Sequence, residues 1–324
     1  MAVSPVTLSQ LRTFAAVARH GSLTAAARAL GVSVPAVSAA IAALRKEFGD
    51  ELVIRSDGGT ALTPGGLRLA AAAAEMVAIA EQARRAVLEA REGSSVLRIA
   101  ATHEIGEYAI GPLVESFRIG RPRLRVAVTT ASAIELEPML RDRRADVVLG
   151  PHVIGPDIES HPFLRVKTIV VAAPDHALAS LDRVDPLLLR NEPWLVGPGG
   201  ADPESPLADA TRRLAIPLEW IHEEPSHAGA TMAIEMGRGI GPALGHSVVG
   251  ELRRGALVRL NVPGTPFETM WQLSLLSRGR ADDPAAVLRR FIVQPEAIRA
   301  ILQRSVTERA ERFRPAVHVT IWSE

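Results

Sequence analysis

The sequence predicts an α + α/β protein: a small helical head closed by a β-hairpin, one long helix, and a larger C-terminal domain of two α/β lobes. Three observations carry this. Two short amphipathic helical stretches flank a tight turn within residues 21–49. An Ala-rich helical run extends from Pro64 to about Arg91. From Val96 onward, short apolar runs of strand type alternate with helical ones, the pattern of βαβ units and a parallel sheet.

The head begins with Thr7-Leu8-Ser9-Gln10, a capping-box pattern that starts a first helix with Leu11, Phe14 and Ala18 facing inward and Gly21 ending it. A second helix runs from about Leu23 to Leu30, with Ser22 as N-cap and Gly31 as the left-handed stop. Ser33 caps a third, and Pro35 falls in its first turn, where a missing N–H costs nothing. Val37, Ile41, Leu44 and Phe48 are spaced four, three, four and predict its buried stripe. Its other face carries Pro35, Ser38, Ala39, Ala42, Arg45 and Lys46, which are small, hydroxylated or basic. Such a face suits the major groove of DNA. Residues 51–55 then read as a strand, Asp57-Gly58-Gly59 as a turn, Thr60 to Thr63 as the returning strand, and Pro64-Gly65-Gly66 as a helix start. The whole is a winged helix-turn-helix with Arg55 at the wing base.

These residues carry a resemblance. Leu11, Phe14, Val17-Ala18, Gly21 to Ala27, Leu30, Pro35 to Ser38, Ile41, Leu44, Gly49, Leu52, Arg55, Leu62-Thr63 and Gly66 resemble the N-terminal domain of LysR-type transcriptional regulators. The resemblance implies double-stranded DNA as partner, with Ser22, Thr24, Ser33, Val34, Pro35, Ser38, Ala39, Arg45, Arg55 and Thr63 as the DNA-binding positions. The chain departs from the family's pattern in informative places. Val34 stands where Gln is usual, Ala39 and Ala40 where long polar residues are usual, Arg45 where Glu is usual, and Gly58-Gly59 at a wing tip that often carries a cation. Bidentate base readout is therefore missing at several positions, which leaves thymine methyl contacts, phosphate contacts and DNA shape.

Length and composition agree with about two domains. The chain has 324 residues, 47% of them hydrophobic, and no cysteine, which excludes disulfides, thiolate metal sites and a Cys nucleophile. The net charge is +1, yet residues 1–70 hold seven cations against four acids, a mild basic footprint. No apolar run of membrane-spanning length and no leader pattern occurs, so the expectation is a cytoplasmic protein without membrane contact. The domain boundaries read as 1–63 for the winged helix-turn-helix, 64–92 for the linker helix, 93–303 for an effector-binding domain and 304–324 for a tail. Leu67, Ala70, Ala74 and Val77 form a heptad-like seam on the linker helix. That seam predicts dimerisation, and Gly93-Ser94-Ser95 a hinge.

In the C-terminal domain, strands are expected at 96–100, 124–128, 146–149, 168–172, 193–196 and 270–277, and Gly241 to Leu244 leads into a helix. Helices are expected at 108–118, 134–143, 182–190, 205–215, 230–236, 248–253 and 285–303. Two lobes result, the first from about 96–165 and 268–303, the second from about 166–267. They resemble the periplasmic-binding-protein-like sensor domain of the same family, and Thr231 to Leu244 with Gly255 to Val258 match its second lobe.

In open parallel sheets ligands bind beyond the carboxyl ends of strands. That rule selects Thr102 and His103, then Thr130 and Ser132, then His152, and in the second lobe Gly199 and Gly200. Hydroxyls and free N–H groups there suit a carboxylate or another small anion, unless they only cap helices. No cofactor motif is present. His103-Glu104-Ile105-Gly106-Glu107 lacks the second His of a zinc-protease helix, Gly237-Arg238-Gly239-Ile240-Gly241 lacks dinucleotide spacing, and neither a phosphate loop nor a GxSxG elbow occurs. The reading is a transcription regulator, not an enzyme: a homodimer or homotetramer on DNA, controlled by a small-molecule effector, with RNA polymerase as a further candidate partner. The competing reading is a small-molecule binding protein or enzyme whose N-terminal part only dimerises.

Overall fold

The computed structural model describes residues 6–56, 59–92, 95–200, 205–277 and 283–303. The chain forms two compact units, residues 1–92 with 141–143, and the remainder. The expected wing tip at 57–58, the hinge at 93–94 and the tail at 304–324 lie outside the described residues.

The first unit opens with α1 (Leu8–His20). Its capping box forms as expected: the Gln10 N–H donates to Thr7 Oγ1 at 3.2 Å, and the Thr7 N–H donates to Gln10 Oε1 at 2.8 Å. Leu11, Phe14 and Val17 are its buried residues, so Val17 takes the place expected of Ala18. Both spacings suit a helix, and the larger side chain gains more from burial. α2 (Leu23–Leu30) and α3 (Val34–Phe48) carry the expected Ser22 and Ser33 caps and end at left-handed Gly31 and Gly49. They meet at 112°, inside the range of a helix-turn-helix. Val37, Ile41 and Leu44 are buried, each contributing about 1.5–3 kcal/mol of transfer free energy. Phe48 is 49% exposed, against expectation, because the last turn of α3 runs past the core. β1 (Val53–Ser56) and β2 (Gly59–Leu62) pair antiparallel as the wing, from Val53↔Leu62 to Ser56↔Gly59.

α4 (Pro64–Glu92) is 29 residues and so about 44 Å long. Asp50 sets its start. The carboxylate accepts from the Leu52 N–H at 2.6 Å and the Thr63 hydroxyl at 2.7 Å, while Thr63 Oγ1 accepts from the Gly66 N–H at 2.9 Å. These bonds hold the Asp50 carboxyl below its ordinary range, the Leu52 bond most. A Cβ at Gly66 would lie 2.0 Å from the Leu52 carbonyl, so only glycine admits this approach. The seam expected on α4 is displaced. Leu69, Ala70, Ala73 and Val77 pack on the unit's own core, and Leu67 is exposed. The outward apolar stripe is instead Met76, Ile79, Ala83, Ala86 and Val87, spaced three, four, three and one. The first turns of α4 complete the small head, which rotates the free face away from the seam that periodicity alone suggests.

The second unit follows in order: β3 (Ser95–Ala101), α5 (His103–Tyr108), α6 (Ile110–Arg118), β4 (Leu124–Thr130), α7 (Ala133–Arg141), β5 (Val147–Gly150), β6 (Ile158–Ala172), β7 (Trp194–Val196), α8 (Pro206–Arg213), β8 (Ile221–Glu223), α9 (His227–Glu235), β9 (Gly241–Leu244), α10 (Val249–Arg253), β10 (Val258–Arg259), β11 (Phe267–Leu276), α11 (Pro284–Ile292) and α12 (Pro295–Gln303). The main sheet runs β10-β6-β11-β5-β3-β4, with β9 also on β6. β3 lies parallel to β4 and β5, as expected of βαβ units. β6, β9, β10 and β11 add antiparallel ladders, so the sheet is mixed rather than parallel. β6 and β11 run through both lobes, paired from Phe267↔Thr168 to Leu276↔Ile158 with an irregularity at Trp271/Gln272. One core gathers Leu97, Ile105, Phe117, Trp271 and Ile292 in lobe 1, another Val170, Trp194, Ile240 and Phe267 in lobe 2.

The differences from expectation are local. The helix expected at 108–118 starts at His103 and breaks at Ala109. β6 starts at Ile158, ten residues before the expected Thr168, since His161-Pro162 hides its alternation. The stretch expected as helical at 182–190 holds a 3-10 turn at Leu188–Asn191, with another before it at Ala177–Ser180. The last helix is two, because Pro295 has no N–H to continue α11.

Candidate nucleic-acid interface and ligand cleft

In the first unit, the outward face of α3 carries Val34, Pro35, Ala36, Ser38, Ala39, Ala42, Ala43 and Lys46, all exposed. Val34 is 40% exposed. Thr24 on α2 is exposed as well. Ser22 and Ser33 accept from the Ala25 and Ala36 N–H groups as caps, which leaves each hydroxyl hydrogen free to donate. Arg45 behaves otherwise. Its Nε donates to the Glu51 carbonyl at 2.6 Å, its Nη2 to the Val53 carbonyl, and its Nη1 pairs with the Glu51 carboxylate at 3.3 Å. The guanidinium therefore ties α3 to the wing. Thr63 is likewise engaged, with Asp50 and the start of α4. Arg55 pairs with Thr60 in the wing, and its side chain lies outside the described residues.

In the second unit, a cleft with about 180 Å³ of empty space, its open mouth included, lies between the lobes. Thr102, His103 and Glu104 line it from the β3–α5 junction, Ala131, Ser132 and Ala133 from the β4–α7 junction, and Pro198, Gly199 and Ser205 from lobe 2. The carboxyl ends of parallel strands place these groups there, as the sheet rule expects. Thr102, His103, Ser132 and Gly199 are thus brought together. Thr130, His152 and Gly200 are not among the lining residues. Thr130 is exposed, with its methyl against Gly106. His152 is exposed, its Nδ1 3.1 Å from Gln272 Oε1, and the buried Gly200 donates its N–H to the Gly197 carbonyl at 2.9 Å.

The polar circuitry of the cleft is internal. Ser132 donates through both its N–H and its hydroxyl to Glu135 Oε2, each at 2.9 Å. These bonds hold the Glu135 carboxyl below its ordinary range, with the charges of Arg144 and His103 adding to them. The Ser205 hydroxyl donates to Glu104, which is 2% exposed. The Gly199 N–H donates to Glu223 Oε1 at 2.9 Å. Beside the cleft, Glu107 accepts from the first N–H groups of α9, His227 at 3.0 Å and Ala228 at 2.7 Å. Glu104 and Glu107 therefore reach from α5 of lobe 1 to two helix starts of lobe 2, a favourable place for anions. His227 is buried against Tyr108, ring centroids 5.9 Å apart; burial lowers the His227 pKa and raises that of Tyr108. Thr102 is 3% exposed; it stands before α5 without a side-chain cap bond, and its Oγ1 has no partner among the described residues. Sequence reasoning set Glu104 and Glu107 aside with the incomplete zinc motif. The Ser205-Pro206 helix start was a signal for one of their partners. Among the described residues no three His, Asp or Glu side chains gather as a metal would require.

The description "Bacterial regulatory helix-turn-helix protein, lysR family" matches residues 8–67, and "LysR substrate binding domain" matches residues 90–295. The chain belongs to the LysR family. The HTH-type transcriptional regulator MT0391 of Mycobacterium tuberculosis (strain CDC 1551 / Oshkosh) is 36% identical over 323 residues, 98% of this chain and 100% of the relative. CfxR of Cupriavidus necator is 28% identical over 296 residues, 90% and 92% of the two chains. In fold, the chain is similar to full-length OxyR from Pseudomonas aeruginosa, with a TM-score of 0.58, 20% identity and coverage of 89% and 95%. A LysR-family chain with this head and this domain is a DNA-binding transcriptional regulator controlled by a small-molecule effector, not an enzyme. The competing reading of a binding protein or enzyme is set aside on that ground. Among the described residues no single helix is long and apolar enough to cross a membrane.

Proposed function

We propose that this LysR-family regulator works in the cytoplasm as a homodimer, or a tetramer built from dimers, joined through α4. The observation that supports this is the stripe of Met76, Ile79, Ala83, Ala86 and Val87, which the head leaves uncovered. Met76 is 52% exposed, Ile79 45% and Val87 63%, at a spacing suited to a partner helix. Two copies of α3 then enter successive major grooves of a pseudo-palindromic operator. Phosphates are met by Lys46, Thr24 and the hydroxyls of Ser22, Ser33 and Ser38, which makes affinity strongly salt-dependent. An effector in the cleft alters the equilibrium between two arrangements of the oligomer, and RNA polymerase reads the outcome. No cofactor takes part.

The experiment is footprinting of the DNA upstream of the protein's own gene at two salt concentrations, with the oligomer's mass read by light scattering. The expected result is two protected half-sites about one helical turn apart, or a multiple of it, with weaker protection at higher salt. A folded monomer without a protected site sinks the proposal.

A further inference from the structure

The cleft carries information about the charge of what enters it. An anionic effector needs donors, and those of Ser132, Ser205 and Gly199 are taken by the protein's own carboxylates. Ser132 gives its N–H and hydroxyl to Glu135, Ser205 gives its hydroxyl to Glu104, and Gly199 gives its N–H to Glu223. The start of α9 is held by Glu107 in the same way. Among the described residues, those that line the cleft include no Lys or Arg. The charge of Arg144 already acts on Glu135. A carboxylate or phosphate that bonds to Ser132, Ser205 or Gly199 would have to displace an internal carboxylate, and anywhere in the cleft it would sit among the others, at a cost in repulsion that low-dielectric walls increase.

The acceptors are in the opposite condition. Glu104 lines the cleft almost fully buried, and a carboxylate has room for about four hydrogen bonds. Thr102 lines it next to Glu104, with a buried Oγ1 that has no partner among the described residues. A buried hydroxyl without a partner is costly, and a ligand that bonds to it, from either side of the hydrogen bond, removes that cost; it is the Glu104 carboxylate beside it that asks for a donor.

We infer that the effector of this cleft is a small organic cation, an amine or guanidine, whose N–H groups donate to the Glu104 carboxylate and Thr102 Oγ1. This rests on the effector reading above and replaces the anion expected from the hydroxyl-rich strand ends. Its test is the thermal shift of the full-length protein with propylamine, putrescine and agmatine against propionate and succinate, at fixed ionic strength and pH. The amines and the guanidine are expected to raise the melting temperature in a dose-dependent way, and the acids to leave it unchanged. Glu104→Gln keeps the size of the side chain and an acceptor for Ser205, yet should raise the half-saturating concentration of the cations about tenfold or more. Thr102→Val leaves the fold unaltered, since Thr102 makes no side-chain cap bond, and should weaken the same cations severalfold. A shift by the acids overturns the cation and leaves the effector reading standing. A cation shift that survives Glu104→Gln overturns the assigned contacts. No shift by either class overturns the cation and likewise leaves the effector reading standing.

Discussion

The outward face of α3 and the cleft of the C-terminal domain use polar groups in opposite ways. Along α3, Val34, Pro35, Ala36, Ala39, Ala42 and Ala43 turn apolar or small surface to solvent, and Ser38 and Lys46 are the exceptions. Arg45, the residue that might have read a base, is bonded to the wing backbone. In the cleft, polar groups are abundant, but Ser132, Ser205 and Gly199 are committed to Glu135, Glu104 and Glu223. The difference teaches that residue type does not decide what a surface can recognise. A hydroxyl already donating to a carboxylate is closed to an anion, whereas an exposed alanine remains open to a methyl group.

The comparison can be broken most strongly at α4, because the reading face acts only when two copies are joined. Ile79→Glu places a charge in the uncovered stripe while leaving the head's own core intact. Sedimentation should show monomers, and operator affinity should fall by about two to four orders of magnitude through lost bivalency. An unchanged mass would place the oligomer contact elsewhere and leave the stripe as plain surface.

The C-terminal domain should answer to acid in a way the apolar reading face does not. His246 is buried edge-on to Trp271, ring centroids 5.6 Å apart, and burial brings its pKa down from 6.5 to about 4. The unfolded chain then binds a proton that the folded one refuses. Stability is complete above pH 6.5, falls as pH drops toward 4, and loses no more from this group below that. The loss amounts to about 3 kcal/mol across the window. His227, lowered by the same cause, acts in the same direction. Urea unfolding between pH 7 and 4.5 should show a shallower slope for His246→Phe than for the parent protein. Parallel slopes would remove His246 from the account.

The smallest effect sharpens the reading face itself. If α3 recognises thymine methyl groups, replacing thymine by deoxyuridine in the half-sites should weaken specific binding by about fourfold for each contacted methyl. Binding to unrelated DNA should not change, since it is made by phosphate contacts. Equal affinity for both operators would point to DNA shape instead.

Local grammar was legible in the sequence. The Thr7–Gln10 capping box, the Ser22 and Ser33 caps, Gly21, Gly31 and Gly49 as stops, and the Val37, Ile41, Leu44 stripe all act within a turn or two of the chain, so neighbouring residues determine them. The parallel core of β3, β4 and β5, and the placement of Thr102, His103 and Ser132 at its ends with Gly199 after β7, were legible for the same reason, since strand and helix alternate in sequence order. Tertiary structure alone decided the rest. Which face of α4 stays free depends on how much of it the head consumes. The antiparallel ladder of β6 with β11 joins residues about a hundred positions apart, which no local period reveals. The state of the cleft's donors depends on Glu104 meeting Ser205 and on Glu223 meeting Gly199 across the fold. A sequence specifies its hydrogen-bonding groups, but only the folded arrangement determines which of them are already taken.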